Sequence, residues 1–126
     1  MRILVVDDEI VALTKMETIL NDFGDCDTAG DGQSALMKFQ RAYLQGDPYD
    51  LISIDIDMPK IDGLKLLKMI NHEEELLFIK PAKKIMITAE GTSSNVYHAI
   101  QNRCDAFMVK PIKKGTLIDK LKSIGI

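Results

Sequence analysis

At 126 residues the chain has the length of one domain, since domains most often run to about 100–150 residues. With 46% hydrophobic and 28% charged residues it can bury a core, and its composition is not that of a disordered chain. A formal net charge of −3 counts against a nonspecific binder of nucleic-acid backbone, and apolar runs of only a handful of residues leave no membrane-spanning stretch.

Apolar runs and helical patterns alternate along the chain. Residues 2–6 (RILVV) read as a buried strand; the run is too short for a signal-peptide core, so a cytoplasmic protein is expected. From Ala12 to Phe23, Leu13, Met16, Leu20 and Phe23 recur at helical spacing, and Gly24 ends that helix. Residues 26–29 form a short, weak strand containing Cys26; this thiol and Cys104 form no CxxC pair and read as reduced cysteines. After the turn Gly30-Asp31-Gly32, Ala35, Leu36, Phe39 and Tyr43 mark a second helix, broken at Gly46-Asp47-Pro48. Residues 50–54 are a third strand. Leu64, Leu67 and Ile70 mark a third helix with Asp62 as its N-cap and Lys65 and Lys68 toward water; Glu73-Glu74-Glu75 read as its solvated end. Residues 84–88 are a fourth strand, followed by a helix on Val96, Ala99 and Ile100 with Thr92, Ser93 and Ser94 as cap candidates. Residues 106–109 are the last strand. Leu117, Leu121 and Ile124 mark the last helix, whose lysines 114, 120 and 122 face outward.

Five β-α units predict an α/β, doubly wound parallel sheet, (βα)5, with helices on both faces. Right-handed crossovers bring every strand's C-terminal end to one edge, where such sheets bind ligands. Asp7-Asp8 end the first strand, Asp55 the third, Thr88 the fourth, and Lys110 follows the fifth, so three carboxylates, a hydroxyl and an ammonium converge. Clustered carboxylates repel one another unless a cation joins them. An all-oxygen set without His or Cys suits Mg2+, with Mn2+ as the alternative ion. Asp8 and Asp55 are assigned as direct ligands, Asp7 through a water and Asp57 through its backbone carbonyl. Such a site fits phosphoryl transfer: Asp55 as nucleophile, Lys110 neutralising the transferred group, and small Ala89 leaving room for backbone N–H contacts.

The chain resembles the receiver domain of two-component response regulators over essentially its full length, 1–126. The resemblance lies in VVDDE at 5–9, DIDMPKIDG at 55–63, MITA at 86–89 and DAFMVKPI at 105–112. It is similar to the single-domain type used in chemotaxis and phosphorelays. The resemblance implies the flavodoxin-like strand order 2-1-3-4-5, Asp55 as phosphoacceptor, Asp7 and Asp8 as the acidic pocket, and Lys110 on the phosphoryl group. It further implies a switch formed by Thr88 and Phe107 and a cis Lys110-Pro111 bond. Implied partners are a histidine kinase or histidine phosphotransfer protein and a downstream protein that reads the helix 4–strand 5–helix 5 face, with no direct DNA or membrane binding, as a monomer or a phosphorylation-dependent dimer. Such a protein signals rather than turning over a metabolite, although it catalyses its own phosphorylation and dephosphorylation. Since the five units use all 126 residues, a stand-alone protein is expected rather than one whose effector domain has been cut away.

Four residues depart from the common pattern, and of these Phe107 lacks the hydroxyl of the Tyr variant, so it can signal only by position. Arg103 stands where a Gly is usual, and Asp57 and Glu90, each two residues past a site residue, place extra acids at the rim of the pocket. The main rival is a haloacid dehalogenase-type phosphatase using Asp55 and Asp57; against it, Pro59 replaces the usual Thr or Val and Asp7-Asp8 would have no task.

Overall fold

The computed structural model describes residues 1–126. Its elements are β1 (Arg2–Val6), α1 (Ile10–Leu20), β2 (Asp25–Ala29), α2 (Gly32–Leu44), β3 (Leu51–Asp55), α3 (Gly63–Leu77), β4 (Lys83–Thr88), α4 (Ser93–Gln101), β5 (Ala106–Val109) and α5 (Lys114–Ser123). All pairings are parallel, in the order β2-β1-β3-β4-β5. This is the flavodoxin-like arrangement that the sequence leads one to expect.

Alternation along the central strands builds two cores. Leu4, Val6, Ile52, Ile54 and Met86 face α2, α3 and α4 and pack with Phe39, Leu66, Leu67, Ile70 and Ala99. Ile3, Val5, Leu51, Ile85 and Ile87 face α1 and α5 and pack with Leu13, Met16, Leu20, Leu117 and Leu121. Each fully buried Leu or Ile side chain contributes about 1.5–3 kcal/mol relative to exposure, so the central strands are the least movable part of the molecule. The polar strand β2 (DCDTA) is tolerated because it is an edge, paired only with β1.

The helix caps follow local chemistry. Asp62 accepts from the Lys65 N–H at 2.8 Å and Thr92 from the Asn95 N–H at 3.2 Å. Helix α1 starts earlier than the apolar spacing indicates, at Ile10, and stops at Leu20, with residues 21–23 in a turn. One expectation is corrected. Glu74 is not a solvated helix end: it is 4% exposed, pairs with the equally buried Lys84 and accepts the Ala82 N–H at 2.7 Å. Helix α4 includes Val96, Ala99 and Ile100 as expected, burying Ala99 against the sheet and leaving Ile100 64% exposed. Arg103 has φ 64°, the left-handed backbone that explains why a Gly would suit this position; its side chain pairs with Glu75. No helix is long and apolar enough to cross a membrane.

Candidate functional site

The C-terminal edge of the sheet gathers the residues singled out from sequence. Single oxygens of Asp7, Asp8 and Asp55 all lie within 4.8 Å of one another. Lys110 Nζ stands 3.1 Å from Asp7 Oδ2 and 3.6 Å from Asp55 Oδ1. The Lys110-Pro111 bond is cis, as the resemblance implies.

Local folding around Asp55 accounts for the motif that follows it. After β3 the chain turns through Pro59 and Lys60, the latter at φ 64°, and the Gly63 N–H donates to the Ile56 carbonyl at 3.0 Å. A Cβ on Gly63 would stand 2.2 Å from the Asp55 carbonyl oxygen, so only glycine lets α3 begin this close to the end of β3. The Asp57 N–H donates to Asp55 Oδ1 at 3.2 Å, and the Ile56 N–H to the Ile87 carbonyl at 2.7 Å, which ties Asp55 to the centre of the sheet.

The site is electrostatically unbalanced. Burial and the neighbouring Asp7 charge push the Asp55 carboxyl up to about 7, against the pull of Lys110 and of the Asp57 N–H. Burial alone would lower the pKa of the Lys110 ammonium; hydrogen bonds to Asp7 and Glu9 and the Asp55 charge outweigh it and raise the pKa instead. Asp55 Oδ2 is buried and has no hydrogen-bond partner. A buried, unsatisfied carboxylate oxygen is costly. Here it belongs to an all-oxygen cluster, the donor set that a hard divalent cation such as Mg2+ prefers. The residues present fit such an ion.

Thr88 is fully buried at the end of β4, yet its hydroxyl donates to Asp57 Oδ2 at 2.8 Å rather than to Asp55. The Ala89 N–H donates to the same oxygen at 3.0 Å, and the Glu90 N–H donates to Thr88 Oγ1 at 3.1 Å. Phe107 is half-buried, packs against the core on the α4 side and lines a surface cavity with Pro111 and Lys113. One site residue is not singled out by the motif spacing. Glu9, the last residue of VVDDE, sits at the N-terminus of α1 without capping it and places Oε1 3.1 Å from Lys110 Nζ. Its signal was a third acid beside a pair that already needed a cation.

The model of the response regulator receiver domain matches residues 3–122. The chain belongs to this family. Among curated relatives, this receiver domain is 36% identical over 126 residues to chemotaxis protein CheY-3 of Vibrio cholerae, covering 98% of this chain and 91% of that one. It is 34% identical over 125 residues to the osmosensing histidine protein kinase SLN1 of Saccharomyces cerevisiae, covering 98% of this chain but only 10% of the kinase. Among solved structures, the CheX–CheY–BeF3–Mg complex of Borrelia burgdorferi contains a chain with a TM-score of 0.82 and 29% identity, the match covering 99% of this receiver and 89% of that chain. The phosphatase reading of Asp55 and Asp57 gains no support: the family match spans the whole site, and Asp57 turns its carboxylate to Thr88 and Ala89.

Proposed function

We propose that this receiver domain accepts a phosphoryl group on Asp55 from the phosphohistidine of a histidine kinase or phosphotransfer protein. The observation that carries the reading is the buried Asp55 carboxylate, with one oxygen unpartnered and the other beside Lys110. An Asp55 oxygen attacks phosphorus, the phosphorus–nitrogen bond breaks, and the imidazole leaves with its electron pair and takes up a proton. The product is an aspartyl phosphate. Hydrolysis by water breaks the new phosphorus–oxygen bond, releases inorganic phosphate and restores the carboxylate. Both steps are catalysed within the receiver's own pocket.

Asp8 and Asp55 would hold Mg2+ directly, Asp7 through water and Asp57 through its backbone carbonyl; the ion supplies charge neutralisation for the phosphoryl oxygens. Lys110, held in place by Asp7 and Glu9, meets the transferred group with its ammonium. The Thr88 hydroxyl and the Ala89 N–H serve as further hydrogen-bond donors to the phosphoryl group. The output is a population shift: once Thr88 turns to the phosphoryl group, Phe107 repositions and the α4–β5–α5 face changes shape. Tyr97, Ile100 and Val109, all exposed, lie on the elements of that face, where a downstream protein docks or two phosphorylated copies pair. A cytoplasmic location fits this phosphorelay role.

The test is phosphotransfer. Incubated with Mg2+ and labelled acetyl phosphate, the wild-type chain should gain an acid-stable, base-labile label, and Asp55→Asn should gain none. Equal labelling of the variant refutes Asp55 as acceptor.

A further inference from the structure

A phosphoryl group on Asp55 would bring three oxygens and nearly two negative charges into a pocket with few donors. Those facing the site are Lys110 Nζ, the Asp57 N–H, the Thr88 hydroxyl and the Ala89 N–H. The last two are already taken, both by the one oxygen Asp57 Oδ2, at 2.8 and 3.0 Å. Taking Asp55 as the acceptor, we infer that the Asp57 carboxylate is a built-in stand-in for the phosphoryl group, an autoinhibitory contact that phosphorylation must expel.

The placement suits a removable occupant. Thr88 is 0% exposed, whereas Asp57 is an exposed residue that reaches inward from the loop after β3. When expelled, the carboxylate returns to water and no charge is left buried and unpaired. Its backbone is pinned by the N–H bond to Asp55 Oδ1 at 3.2 Å, so the side chain can swing while the main chain of the loop stays. A carboxylate and a phosphoryl group cannot share the two donors: both carry negative charge, and each donor has one hydrogen to give. Asp57 therefore competes with the phosphoryl group for the same subsite.

The competition is measurable with beryllofluoride, the phosphoryl mimic, on the 15N-labelled full chain in saturating Mg2+, followed through the Ala89 amide. Asp57→Ala vacates both donors and should lower the half-saturating beryllofluoride concentration about tenfold. Asp57→Asn keeps a neutral acceptor in place and should lower it less, since charge-assisted hydrogen bonds are roughly twice as strong as neutral ones. Without beryllofluoride or metal, the Ala89 amide of Asp57→Ala should shift upfield of wild type as its charged partner is lost, a change that loosening elsewhere in the fold would not produce. Half-saturation unchanged or raised in both folded variants overturns the competition while leaving the acceptor reading intact, provided that Asp55→Asn abolishes saturation. Saturation that survives Asp55→Asn overturns both.

Discussion

Two groups of buried charge lie at opposite edges of the same sheet, and they are built on different terms. At the N-terminal edge, Glu74 and Lys84 are 4% and 2% exposed, and each Glu74 oxygen is used: one on the Lys84 ammonium, the other on the Ala82 N–H. At the C-terminal edge, Asp7, Glu9 and Asp55 share the single Lys110 ammonium, Asp8 stands in the same acidic cluster, Asp55 Oδ2 has no partner, and the Asp55 carboxyl is displaced to about 7. The first group is closed and the second is short of positive charge. A matched buried pair offers nothing for a ligand to complete, whereas an unmatched cluster retains its electrostatic cost until a cation arrives, and that deficit is what makes it a site.

The largest effect should separate the two edges by chemistry. Lys110→Ala should slow phosphorylation by acetyl phosphate about 10²- to 10³-fold, the scale of losing one preorganised charge-stabilising donor, whereas Lys84→Met should change the rate little. Initial rates of labelling check both, and a comparable loss in the two variants would erase the distinction.

Stability should show the reverse pattern. Glu74→Gln leaves the Lys84 ammonium buried without its counter-charge and should cost about 3–5 kcal/mol in urea unfolding, while Glu74→Leu combined with Lys84→Met should recover most of that. A single-variant cost below about 1 kcal/mol would mean that the pair behaves as a surface one.

The open edge should instead register pH. The folded Asp55 carboxyl titrates near 7, above the ordinary 3.8 expected for the unfolded chain, so the folded state holds an extra proton between these values. Metal-free stability should therefore fall as pH rises from about 4 to about 7, on the order of 1 kcal/mol per pH unit, and then level off. Chemical denaturation in EDTA measures the slope. Asp55→Asn should flatten it, and an unchanged slope in that variant would assign the titration elsewhere.

Smaller again is the gain from metal. Mg2+ at 100 times its dissociation constant should stabilise the chain by about 2.7 kcal/mol, and Asp8→Asn should remove most of that gain while leaving metal-free stability near wild type. Equal Mg2+ stabilisation in the variant would take Asp8 out of the ligand set.

Much of the site was legible because each piece is local. Apolar five-residue runs ending in Asp7, Asp55 and Thr88 identify strand ends, and a parallel sheet puts all such ends on one edge. Asp62 and Thr92 could be read as caps because an N-cap needs only its own side chain and the N–H three residues on. Glu74 departs from its expected place because a charge run looks solvated until the packing angle of the helix decides which face meets the sheet.

Length, patterning and motif spacing by themselves determined the (βα)5 order, the edge where chemistry gathers and the identity of the acidic and basic groups there, because strand period, turn residues and chain direction are properties of neighbouring residues. Only the tertiary structure decided which groups share hydrogen atoms: that Glu9 joins Lys110, that Glu74 closes on Lys84 and that Asp57 holds Thr88 and Ala89. Those choices depend on distances between residues up to 101 positions apart, and no local rule carries them.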